Sequence, residues 1–117
     1  MVKPWDAANC YGYAIDVNRW FHFDCEYEDA GQELQRLNPH WIKVQKKDMV
    51  IGKSYVAFRY GYHDFHFMFR DHRGHWRHKM GSQPVKAISQ KDVFHKLWRG
   101  NNIVYTSKIW LFEVPNR

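Results

Sequence analysis

A chain of 117 residues with 44% apolar and 18% aromatic side chains has ample material for one hydrophobic core, which excludes a disordered chain. It contains no run of about 18 apolar residues, as a membrane-spanning helix would need, and two cysteines, Cys10 and Cys25, are too few for a disulfide scaffold. Eighteen Lys and Arg against twelve Asp and Glu give a net charge of +6, which favours acidic partners without choosing among nucleic acid, anionic polymers and acidic proteins.

With no linker, repeat or low-complexity run, residues 1–117 read as a single domain. The opening MVKPWDAANC has no apolar signal core, so a cytoplasmic location, or delivery by a route that needs no leader, is expected.

In chain order, a first helix is expected over 10–21. Asn9 is its N-cap, and Tyr11, Ala14, Ile15 and Asn18 fall on one stripe. A second helix is expected over 26–37, with acidic residues favouring its start, Ala30, Leu34 and Leu37 as its apolar stripe, and Asn38-Pro39 as its stop. Strand signals follow in KSYVAFRYG (53–61) and HDFHFMFR (63–70), the latter with Phe65, Phe67 and Phe69 on one face. DHRG reads as a turn and HWRHKM as the returning strand. Ser89 opens a capping motif, SQKD, for a helix over 89–100 with Val93, Phe94, Leu97 and Trp98 on one face. A long final strand is expected over 101–114. The order predicts an α+β domain whose N-terminal helix packs on a mostly antiparallel sheet.

A hairpin turning at His72 pairs residues whose numbers sum to about 144, which sets His66 opposite His78 on one face, away from the phenylalanines. Two cross-strand imidazoles, with Asp64 nearby, suit zinc. Further ligands at convincing spacing are missing and the cysteines form no C-x-x-C pair, so no metal is expected. The same two histidines also suit a catalytic base and its orienting partner, and that chemistry needs a nucleophile. His63 is the alternative base, but it falls on the aromatic face.

Cys10 supplies the nucleophile. It follows an N-cap and opens a helix, where a thiolate faces positive dipole and free backbone amides, so a lowered pKa is expected. Cys25 lies among Asp24, Glu26 and Glu28, whose charge raises a thiol pKa, and it reads as structural or incidental.

A cysteine opening an early helix, then a histidine on a strand and a polar residue facing it from the next strand, resembles the papain-like cysteine hydrolases. It resembles especially their compact NlpC-type branch, in which the third residue is often a second histidine. NCYGYA (9–14) is similar to the NCYxYA start of small bacterial and phage-associated papain-like domains. DFHFMFRDHRGHWRHKMGSQPV (64–85) is similar to their D-Y-H-F-Y-R-x-D-x-x-G-x-W-x-H-K-x-G segment. The two stretches cover about a quarter of the chain, and the helices expected at 26–37 and 89–100 carry no part of the likeness.

The resemblance implies that Cys10 attacks a carbonyl carbon, that His66 takes the thiol proton and returns it to the leaving amine, and that His78 orients His66. It further implies that Asn9 caps the helix beside the oxyanion site. Asp64 and Asp71 are secondary orienting candidates, with Asp71 also fitting the turn, and Trp76 either shields the imidazoles or packs a core. The implied protein is a peptidase or amidase without a cofactor, acting on a peptide, protein or cell-wall peptide and fitting a delivered toxin or effector. An acidic inhibitor or immunity protein suits its charge, and no membrane partner is implied.

Two other readings stay open. A basic nucleic-acid-binding protein or metal-independent ribonuclease could use His66 and His78 with Arg70, Arg73, Arg77 and Lys79. A papain-like fold that only binds would carry an unreactive Cys10.

Overall fold

The computed structural model describes residues 5–23, 29–61, 64–95, 98–100, 103–105 and 108–117, with the strand path alone at 61, 98–100 and 103–105. The helices are α1 (Cys10–Ala14), α2 (Ala30–Leu37) and α3 (Gln90–Val93). The strands are β1 (Ile42–Lys43), β2 (Ser54–Gly61), β3 (Asp64–Arg70), β4 (Trp76–Lys79), β5 (Val85–Ala87), β6 (Trp98–Gly100), β7 (Ile103–Tyr105) and β8 (Trp110–Val114). They form an antiparallel sheet in the order β1-β8-β2-β3-β4-β5, and β6 and β7 pair with each other and join β2 through β7. The fold is α+β with α1 against β3 and β4, as expected from the order of elements.

Strand alternation gives the sheet two cores. Phe58, Phe67, Phe69 and Phe112 face the helices, where Tyr11, Tyr13, Ala14, Ala30 and Leu34 bury them. Tyr11 lies flat on Phe67, with ring centroids 4.4 Å apart and planes 8° apart. Each ring so buried contributes roughly 1.5–3 kcal/mol. The other face carries Tyr55, Ala57, Met68, Trp76 and Leu111, covered by Val93 and Phe94.

Several elements end earlier than the periodicity predicts. The helix expected over 10–21 stops at Ala14. Asp16 adopts the left-handed conformation (φ 64°), and Arg117 donates from Nη1 to the Tyr13 and Ala14 carbonyls at 2.6 and 3.4 Å, taking those acceptors out of the helical ladder. The helix expected over 89–100 is one turn long. Ser89 caps it as SQKD predicts, its Oγ accepting from the Asp92 amide at 3.1 Å. Beyond that turn the buried Arg59 donates from Nη2 to the Val93 carbonyl at 2.9 Å and to the His95 carbonyl, acceptors that a longer helix would use. Residues 98–100 then enter the sheet instead.

The single strand expected over 101–114 is two strands that flank β2 in succession. Gly61 pairs with Tyr105, and Ser54–Phe58 pair with β8. The helix expected over 26–37 is described from Ala30, and Leu37, placed on its apolar stripe, is exposed. Cys25 and His63 lie outside the described residues. Among the described residues, no helix is long and apolar enough to cross a membrane.

Candidate active site

The β3–β4 register is Met68 opposite His78, Phe69 opposite Arg77 and Arg70 opposite Trp76. The paired numbers sum to 146, two more than a turn at His72 predicts. The loop closes at Asp71 and His75, with the Asp71 amide donating to the His75 carbonyl at 3.0 Å and Gly74 left-handed at φ 91°. A two-residue shift preserves the face, because side chains alternate with period two. His66 and His78 therefore meet diagonally rather than directly: His66 Nε2 lies 2.8 Å from His78 Nδ1, the rings edge to face with centroids 5.0 Å apart.

His66 is 2% exposed. Burial, then the neighbouring His78, pushes its imidazole down to about 3. Burial and Lys86, which stands opposite His78 on β5, also lower His78. Both rings are thus neutral near pH 7, one donating to the other. The bond to His78 uses Nε2, so any proton exchange between His66 and a nucleophile must run through Nδ1.

Cys10 reaches the sheet where the β3–β4 ladder stops. The backbone amides of Phe67, Tyr11 and Cys10 itself act on the sulfur to favour its thiolate. Lys79, the last residue of β4, is not paired with β3 and pairs with Val85 of β5. The expected lowering of the Cys10 pKa does not occur. Burial pushes the thiol up to about 12, the three amides pull it down by less, and the Asp64 carboxylate adds to the rise. Loss of hydration at a buried sulfur outweighs the partial charges at the end of a five-residue helix.

Cys10, Asp64 and His66 line one cleft of about 800 Å³. Residues 20–23 form one wall, residues 80–83 another. The first wall is tied to α1 by Asn9, which is buried. Its Oδ1 accepts from the Gly12 amide at 3.0 Å and the Phe21 amide at 3.3 Å, and its Nδ2 donates to the Phe21 carbonyl at 2.6 Å. Asn9 is thus the expected cap, and it also clasps the 9–21 loop. That Nδ2 bond runs into the wall, not towards a developing oxyanion. Asn9→Ala removes all three bonds from a buried site. A loss of about 2–3 kcal/mol in urea unfolding is expected, and a loss under about 0.5 kcal/mol would refute the clasp.

Asp64 reaches the cleft, and its Oδ1 accepts from the Phe65 amide at 2.7 Å. Asp71 does not join the histidines. Its Oδ1 accepts from the Arg73 and His75 amides at 3.0 and 2.9 Å and its Oδ2 lies 3.7 Å from Arg77, so it shapes the turn. Trp76 shares the histidines' face as predicted, but it packs against Phe94 and donates from Nε1 to Gln90 at 3.2 Å, within the second core. Among the described residues no three His, Cys, Asp or Glu side chains group as metal ligands.

Trp20, Tyr60 and Ser82 also line the cleft, and no motif points to them. Lys79 was legible by parity alone: alternation in WRHK puts it on the helix-facing side, an unusual place for a lysine. No family model, curated protein or solved structure matches the chain.

Proposed function

We propose that the protein is a cysteine-dependent amide hydrolase with a papain-like, NlpC-type arrangement of Cys10, His66 and His78. The observation that carries this reading is that Cys10 and His66 open into one cleft while His78 holds the Nε2 side of His66. The Cys10 sulfur attacks the amide carbon as its proton passes to His66 Nδ1. The C–N bond then breaks, and the same proton leaves on the amine, giving a thioester. Water, deprotonated by His66, attacks the thioester, and release of the carboxylic acid restores the thiol. His78 occupies Nε2 of His66 and so leaves Nδ1 as the nitrogen that takes the thiol proton. The basic surface suits an acidic peptide, protein or cell-wall peptide as substrate.

With the thiol near 12 and the imidazole near 3, the neutral Cys10–His66 pair is the dominant form across the whole interval. Attack in which His66 takes the proton as the new bond forms draws on that neutral pair and is independent of pH, whereas attack by a bare thiolate is not. Alkylation of Cys10 by iodoacetamide, followed by peptide mass spectrometry between pH 5 and 9, should therefore be flat in the wild type. In His66→Gln, which keeps a polar group towards His78, the rate should climb about tenfold per pH unit with the thiolate fraction. A wild-type rate that climbs as the variant's does would sink the hydrolase reading and make RNA the substrate to test.

A ribonuclease using the two histidines as base and acid requires an imidazolium near neutrality. The lowered pKa of both rings disfavours that alternative.

A further inference from the structure

We propose that Lys79 is a positioning residue of this site, holding a buried ammonium on the sulfur side of the cleft where it favours the Cys10 thiolate. The inference rests on the hydrolase reading above. Lys79 is 2% exposed, at the last position of β4. Phe69 is paired with Arg77, so alternation turns Lys79 to the face that packs against α1, opposite to His78. It lies one residue past the last β3–β4 pair, on the strand that packs against α1, which Cys10 opens.

Its Nζ donates to the Gly81 carbonyl at 2.7 Å. Gly81 is left-handed (φ 53°) in the tight turn closed by the Gln83 amide on the Met80 carbonyl at 2.8 Å, and this turn is the second wall of the cleft. A smaller cavity of about 340 Å³, lined by Lys79 and Asp6, lies behind the same wall and shares Ser82 and Gln83 with the cleft.

The charges around the reacting pair are arranged by side. Lys86 stands on the imidazole face, where it opposes an imidazolium at His78, and Asp64 lies in the cleft, where it opposes a Cys10 thiolate. Asp6 and Lys79 stand on the helix side. Burial lowers the Lys79 ammonium, and Asp6 and Cys10 act to raise it. When the Cys10 proton moves to His66, negative charge appears on the sulfur, where the Lys79 ammonium favours it and the Asp64 carboxylate opposes it. The ammonium thus offsets the carboxylate at the sulfur, and in a low-dielectric cleft such interactions are strong.

Three variants separate this role from a purely structural one, with iodoacetamide alkylation of Cys10 as the readout and the far-ultraviolet spectrum as the check on folding. Lys79→Met should lower the flat alkylation rate about tenfold without giving it a slope, since His66 is untouched. Lys79→Arg, which keeps the charge, should restore most of the rate. Lys79→Gln can still donate to the Gly81 carbonyl but has no charge. It should be as slow as Lys79→Met, and it carries the test if Lys79→Met does not fold. A Lys79→Gln protein that alkylates within about twofold of wild type overturns the proposal, leaving Lys79 as a tie for the turn. A wild type without the flat profile overturns the hydrolase reading itself, and this inference with it.

Discussion

Gly12→Ala is expected to destabilise the protein by more than about 3 kcal/mol. Helix propensity alone predicts the opposite sign, because Gly12 sits inside α1 and alanine is about 1 kcal/mol the better helix former. Packing decides the outcome. A Cβ at Gly12 would run into the Arg19 carbonyl oxygen, well inside van der Waals contact, and would stand 2.8 Å from the Val17 carbonyl oxygen and 3.1 Å from the Ala8 Cβ. These obstacles are mainly backbone. That backbone is held by the Val17 amide on the Gly12 carbonyl at 2.9 Å, the Arg19 amide on the Val17 carbonyl at 2.8 Å and the Asn9 clasp on Phe21. It cannot retreat without dismantling the wall of the cleft. Urea denaturation of the two proteins checks this, and a Gly12→Ala variant as stable as the wild type would show that the 15–21 segment yields freely. The glycine in NCYGYA is thus required by the close return of the chain over α1, beside the nucleophile it helps to place.

Much of the site was legible in the sequence because it depends on local rules. Asn9 before an apolar run marks a helix start, and period-two alternation in DFHFMFR separates the phenylalanines from His66. The parity of the hairpin was also readable, although its register was not. Asp71 accepting from two loop amides, with Gly74 left-handed, makes a three-residue loop where a turn on His72 was expected, and the pairing moves by two. That His66 still meets His78 follows from the evenness of the shift.

The features that were not legible depend on long-range contacts without periodicity. Arg59 halts α3 from 34 positions away in the chain, and Arg117 ends α1 from more than 100. Both act through carbonyls, which every residue carries, so no side-chain pattern announces them. The Cys10 pKa was misread for a related reason. A helix start is visible in sequence, whereas the burial that outweighs it is a property of the packed sheet edge.

The buried imidazole pair should also make the protein sensitive to mild acid. His66 in the folded chain binds a proton only near pH 3, whereas in the unfolded chain it does so near its ordinary value of 6.5. Unfolding therefore takes up a proton between those values. The stabilisation is fully present above about pH 6.5 and is lost as pH falls towards 3, at up to about 1.4 kcal/mol per pH unit. Between pH 6.5 and 4.5 the loss from His66 comes to about 2–3 kcal/mol, a large share of the 5–15 kcal/mol typical of a domain. His78 shifts in the same direction and adds to it. Burial raises the Asp71 carboxyl, but the His75 and Arg73 amides with the His75 and Arg77 charges together outweigh it, so it is held low and contributes below that window, as pH falls through the carboxylate range. Urea midpoints at pH 7.5, 6.5, 5.5 and 4.5 should fall steeply for the wild type. They should fall much less for His66→Gln, which cannot titrate. Equal slopes in the two proteins would mean that His66 is hydrated in solution, and a hydrated His66 could not hold the neutral pair on which the flat alkylation profile of Cys10 depends.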